Sequence, residues 1–161
     1  MSPKNTADLA QGEDVASLEV KLEVRKKGTY APEWYGTTVR LTLNQMFAAV
    51  APLMIKECSG ADLTEGLRRL LERVITTDQA YEKALKGKTL LGVTCEPEEL
   101  ETVIVHLRAL GLIRTSNRKR SLKDKATYWC LTNAGDQLMV QLRALRRPPA
   151  AGAPEADASA R

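Results

Sequence analysis

The sequence predicts an α+β fold: a helix–hairpin–helix unit over roughly residues 98–147, with a two-stranded β addition in front of it. Three observations carry this reading. Leu18, Val20, Leu22 and Val24 alternate with Glu19, Lys21 and Glu23, the period of a strand with one buried face. Leu100, Val103, Ile104, Leu107 and Leu110 recur at spacings of three and four ahead of Gly111, which reads as an amphipathic helix and its stop. Two short apolar runs, Leu112–Thr115 and Thr127–Thr132, bracket a polar loop from Ser116 to Ala126, and a last helical stripe follows.

Taken in order, Met1 to about Asp14 is polar and aperiodic, so residues 1–15 are expected to be a disordered lead. After the first strand, the turn-rich segment Gly28–Gly36 reads as a loop and Thr37–Leu41 as a second strand pairing with the first. Thr42-Leu43-Asn44-Gln45 fits a capping box. It should open a helix from Leu43 to about Glu57 whose apolar positions include Met46, Phe47, Val50, Leu53 and Met54, with a kink at Pro52 and an end at Ser59-Gly60. A second helix is expected from about Ala61 to Val74, with Leu63, Leu67, Leu70, Leu71 and Val74 inward. Thr77-Asp78 caps a shorter helix to about Lys86, and Gly87–Gly92 is a connector containing a short extended piece, Leu90–Val93. Thr94 is available to cap the next helix, Pro97 sits in its first turn, and Glu96, Glu98 and Glu99 lie where the helix dipole favours acids. Thr132 or Asn133 caps the last helix, with Leu138, Met139, Leu142 and Leu145 inward and Arg143, Arg146 and Arg147 near its end. Pro148-Pro149 stops it, which places the folded part at residues 16–147 and a disordered tail at 148–161.

Composition narrows the class. Aromatics are only 4% of the 161 residues, so the core must be built from Leu, Val, Ile and Ala. No apolar run is long enough to span a bilayer and the first residues lack an apolar signal core, so a cytoplasmic protein without a membrane partner is expected. Cys58, Cys95 and Cys130, an odd number far apart, argue against disulfides.

The segment Leu107-Arg108-Ala109-Leu110-Gly111-Leu112-Ile113, then a charged hairpin, then Tyr128-Trp129-Cys130-Leu131-Thr132-Asn133-Ala134-Gly135, resembles a winged helix of the MarR-like kind. In such folds a helix–Gly–Leu–Ile run leads from the recognition helix into the wing, and a strand ending in Leu-Thr-x-x-Gly returns from it. The resemblance covers about fifty residues. It implies a winged helix-turn-helix with an N-terminal two-stranded β addition, and it implies bacterial DNA binding and transcription regulation. Leu43–Pro52, Ile104–Ile113, Trp129–Thr132 and Leu138–Ala144 together are similar to the C-terminal region of an uncharacterised bacterial family. Members of that family typically carry an N-terminal Toll/interleukin-receptor-like domain, for which this chain has no room. That resemblance implies the C-terminal module alone and brings no catalytic residues with it.

Charge singles out the hairpin. Arg114, Arg118, Lys119, Arg120, Lys123 and Lys125 face one acid, Asp124, over residues 114–125, a net +5, whereas the whole chain is +4. These six residues are the candidate nucleic-acid-binding set. Phosphate contact, with duplex DNA held at low sequence specificity, and a merely solvated loop both remain open. The helix before the hairpin pulls the other way, because Glu98, Glu99, Glu101, Thr102, His106 and Arg108 form its exposed positions and carboxylates repel phosphates. The alternative is therefore a protein-interaction or assembly module of a signalling or defence system, with a protein partner or a homodimer through the terminal helix.

No chemistry beyond binding is expected. His106 is the only histidine and reads as structural or exposed, with no nucleophile or paired acid to work with. Metal-ligand spacing is absent, no cofactor is expected, and the chain reads as non-enzymatic. Cys58 and Cys130 read as small core residues, while Cys95 lies at a helix N-terminus, where a thiol's pKa is open to lowering. Tyr30, Trp34 and Tyr35 fall in the loop between the first strands, either covering the small sheet and capping the core or forming a partner patch.

Overall fold

A computed structural model describes residues 7–148. Expectations for residues 1–6 and 149–161, including most of the tail, lie outside the described residues. The architecture is α+β, with five helices and two antiparallel sheets among those residues.

The first sheet is built from β1 (Val15–Lys26), β2 (Pro32–Thr42) and β4 (Lys88–Cys95), in the order β2-β1-β4. Opposed residues share a face, so Leu18 with Val39, Val20 with Cys95, and Leu22 with Val93 form one buried surface. The two-stranded addition is thus a three-stranded sheet, and the expected connector over Gly87–Gly92 is mostly strand. Its period-two signal is broken because the register slips between Glu23–Gly92 and Val24–Leu90, leaving Leu91 as a bulge. The β1–β2 connection is also shorter than expected. It turns at Gly28 (φ 83°), a conformation that favours glycine, and Trp34 and Tyr35 belong to β2. Pro32 is tolerated there because β2 is an edge strand.

The helices cover the buried face. α1 (Leu43–Val50) opens with the expected capping box: the Thr42 hydroxyl accepts from the Gln45 N–H at 3.1 Å and the Gln45 side chain accepts from the Thr42 N–H at 2.8 Å. It does not run to Glu57. Pro52, which lacks an N–H, sits at the start of a 3-10 turn, Ala51–Met54, and Leu53 is exposed. Ser59 does not end that helix but caps α2 (Gly60–Thr77), accepting from the Asp62 N–H at 3.1 Å. A 3-10 turn capped by Asp78 and the single-turn α3 (Glu82–Leu85) then lead into β4. α4 (Pro97–Ala109) begins at Glu96 without a side-chain cap, because Thr94 is inside β4. One continuous cluster joins Leu18, Val20, Leu22, Phe47, Leu67, Leu71, Leu100 and Leu107. Each such side chain contributes about 1.5–3 kcal/mol by leaving water.

The second sheet is small: β3 (Cys58–Ser59), β6 (Tyr128–Leu131) and β5 (Ile113–Thr115), in the order β3-β6-β5. α5 (Asn133–Arg143) follows, capped by Thr132. Its expected inward stripe is only partly buried. Met139 is inside and Leu138 half-buried, but Leu142 is exposed, since α5 lies along one side of α1 with nothing over its outer face among the described residues, and Leu145 is exposed beyond the helix, which ends at Arg143. Residues 10–14 of the polar lead are bonded to the fold. The Leu43 N–H donates to Asp14 O, the Asn44 N–H to Gly12 O, and His106 Nε2 lies 2.9 Å from Ala10 O.

Candidate nucleic-acid interface

The hairpin that carries the cations is fixed at its base by the end of α4. Gly111 takes φ 73°, its N–H bonds Arg108 O at 2.9 Å, and the Leu112 N–H bonds Leu107 O at 3.1 Å. This double closure terminates a helix and redirects the chain. The returning strand is clamped to the same turn, because the Thr132 N–H donates to Leu112 O and its hydroxyl to Gly111 O. Gly135 completes the clamp: a Cβ there would overlap the Leu112 carbonyl oxygen, so only glycine lets α5 start this close.

Between the strands, residues 116–127 form a long loop that is nevertheless braced. The Ser116 N–H donates to Tyr128 O at 2.8 Å. The main brace is Glu57, just before β3. It accepts from the Ser116 hydroxyl at 2.6 Å and lies 3.3 Å from Arg118 Nη1 and 2.6 Å from Arg120 Nη2. The Arg120 contact is a close ion pair whose N–H vectors are not aimed at the oxygen, so that nitrogen makes no hydrogen bond despite its burial. The Ser116 hydrogen bond and the Arg120 cation together hold the Glu57 carboxyl below its ordinary range. Arg120 also stacks on Tyr128, 3.2 Å from the ring centroid, and the Tyr128 hydroxyl donates to Asp124 at 3.1 Å.

The six candidate cations therefore divide. Arg120, with 23% of its side chain exposed, serves as an internal brace. Arg118 is exposed but shares Glu57. Arg114, Lys119, Lys123 and Lys125 are exposed and make no ion pair among the described residues. Glu57 was invisible to sequence reasoning, since nothing in its local context marks a residue some sixty positions away as the loop's counter-ion.

α4 presents the opposite charge. Glu98, Glu101, Thr102 and Arg108 are exposed, and Val105 is 62% exposed. Glu99 is turned inward, accepting from the Glu19 N–H at 2.8 Å and from Cys95 Sγ at 3.5 Å. That contact reverses the expectation for Cys95. Burial pushes its thiol up to about 12, and the Glu99 carboxylate adds to the shift, so the helix dipole does not make it a thiolate. Cys58 and Cys130 are buried and free, and burial raises the Cys58 thiol to about 11.

Tyr30, Trp34 and Tyr35 do not cap the core. Tyr30 is 96% exposed, Trp34 stands on the outer face of the sheet, and Tyr35, opposite Leu22, remains exposed with the Lys88 ammonium over its ring, 4.1 Å from the centroid. Among the described residues no helix is long and apolar enough to cross a membrane. No family model, curated protein or solved structure matches the chain.

Proposed function

We propose that this chain is a non-enzymatic winged-helix module that holds nucleic acid, in the first place duplex DNA, by its phosphate backbone. In this reading the 116–127 loop is the wing and α4 occupies the recognition-helix position. Support for the fold assignment comes from the element order: α4 runs through Gly111 into β5, a charged loop follows, and β6 returns into Leu131-Thr132 and Gly135. The single observation that carries the function is three exposed cations, Lys119, Lys123 and Lys125, without ion-pair partners among the described residues, on a loop braced by Glu57 and Asp124, with Arg114 exposed on β5 at its base. A braced cationic loop neutralises phosphates and releases counterions with little ordering cost. Such a grip, with few base contacts, suits a low-specificity contribution to transcription regulation.

A salt titration of binding to a generic duplex tests the reading. The expected result is an affinity that falls linearly on a log–log plot and a shallower slope when Lys119, Lys123 and Lys125 become Ala. No binding at low salt, or an unchanged slope in that variant, sinks it.

A second reading, a protein-interaction module, draws on the exposed acids of α4 beside Val105. It predicts salt-sensitive recovery of a protein partner, or a dimer by light scattering, that Glu98→Lys/Glu101→Lys abolishes.

A further inference from the structure

We propose that Leu122 is an apolar wedge that this loop inserts between base steps in the minor groove of a DNA duplex, bending it; the proposal rests on the duplex-binding reading above. Leu122 is 92% exposed. It occupies the corner of a tight turn, because the Asp124 N–H donates to Ser121 O at 3.0 Å and leaves Leu122 and Lys123 as the two central residues. The Ser121 hydroxyl accepts from the Lys123 N–H at 3.3 Å, and Asp124 takes the Ala126 N–H at 3.1 Å. Below the turn, Arg120 lies on the Tyr128 ring and the Tyr128 hydroxyl holds Asp124. The leucine is thus carried at the end of a braced projection.

Leu122 contributes nothing to the core and nothing among the described residues covers it, so it leaves water only against a further surface. That surface is anionic, since Lys119, Lys123 and Lys125 surround the tip without ion-pair partners among the described residues. A duplex minor groove meets both demands. It is about 6 Å wide, phosphates line both edges, and its floor of stacked bases admits a single apolar side chain at a flexible step. An anionic bilayer fits less well, because interfacial anchoring draws on several apolar side chains. Leu122 is the only large apolar residue between Arg114 and Lys125. The acidic start of α4 agrees with this mode, because a wedge in the minor groove needs no helix in the major groove.

The test uses the full chain with a short duplex labelled at both ends, reading affinity by anisotropy across a salt series and bending by energy transfer between the ends. Leu122→Ala is expected to weaken binding about tenfold and to abolish the bend while leaving the salt slope unchanged. Leu122→Phe should restore the bend. Lys119→Ala/Lys123→Ala should lower the slope by about two and leave a bend in whatever complex remains. If Leu122→Ala binds and bends as the wild type does, the leucine is an incidental surface residue and the wedge is overturned, while the phosphate-grip reading stands. Failure of the wild type to bind any duplex at low salt removes both. Sedimentation with phosphatidylserine vesicles supplies the last arm: vesicle binding lost in Leu122→Ala, with duplex binding untouched, overturns the wedge in favour of a lipid surface.

Discussion

The segment from Arg114 to Lys125 and the helix α4 are separated by only one turn in the chain, yet they treat charge in opposite ways. In the loop the acid is consumed internally: Asp124 receives Tyr128 and faces Arg120, and the distant Glu57 takes up Arg120 and part of Arg118. What is left facing solvent is cationic. In α4 the acids divide, Glu99 turning in to the Glu19 backbone while Glu98 and Glu101 stay in solvent without an ion-pair partner among the described residues. Its one arginine, Arg108, lies near Trp129, 5.9 Å from the ring centroid. Net charge by segment would have described both regions. Only the pairing shows which charges a partner would meet, and a polyanion would be drawn to the loop and turned away from the start of α4.

The largest expected break in this contrast is reversal of the loop. Lys119→Glu/Lys123→Glu/Lys125→Glu should weaken duplex binding by about a hundredfold or more at low salt, with the melting temperature unchanged, because these side chains make no ion pair among the described residues. A variant that still binds within a few-fold would place the contact elsewhere. Next comes Glu57→Gln, which keeps an acceptor for Ser116 and releases two arginines from their counter-charge. Binding should tighten severalfold and the salt slope steepen by about one; weaker binding would mean that bracing matters more than charge.

The same brace has an acid limit. The Glu57 carboxyl lies below its ordinary range in the folded protein, so its stabilising effect is complete above about pH 4.3, the unfolded value, and is lost as pH falls through the folded value. Hydrogen exchange at the Arg118 amide, which donates to the Ser116 hydroxyl, should lose protection in that window. Protection independent of pH down to 3 would contradict it. A smaller effect is expected from the helix. Glu98→Gln/Glu101→Gln should change duplex affinity by no more than about threefold if α4 stays out of the groove, and a gain of tenfold or more would put α4 in contact with the phosphates. The smallest is at Cys95, whose thiol at about 12 should resist iodoacetamide at pH 8 until the protein unfolds.

Much of the scaffold was legible along the chain. The alternation Leu18–Val24, the Thr42–Gln45 capping box and the stripe ending at Gly111 are each written within a few residues, and each forms as read. Of β4 only the short extended piece Leu90–Val93 was legible, because the bulge at Leu91 and the glycine beside it break the alternation, and the rest of its strand character comes from pairing with β1. The candidate site was half legible. All six cations were visible, but their division into brace and free ends was not, since it depends on Glu57.

The sequence by itself determined where α1 and α5 begin, where α4 stops, and where positive charge is concentrated, because those depend on neighbours one to four residues apart. Only the tertiary structure decided that Glu57 anchors the loop, that Arg120 is spent on Tyr128, that Glu99 and burial keep Cys95 a thiol, and that Leu122 stands out at the tip. Each of those facts is set by groups brought together across long stretches of chain or by exposure to solvent, and local spacing encodes neither.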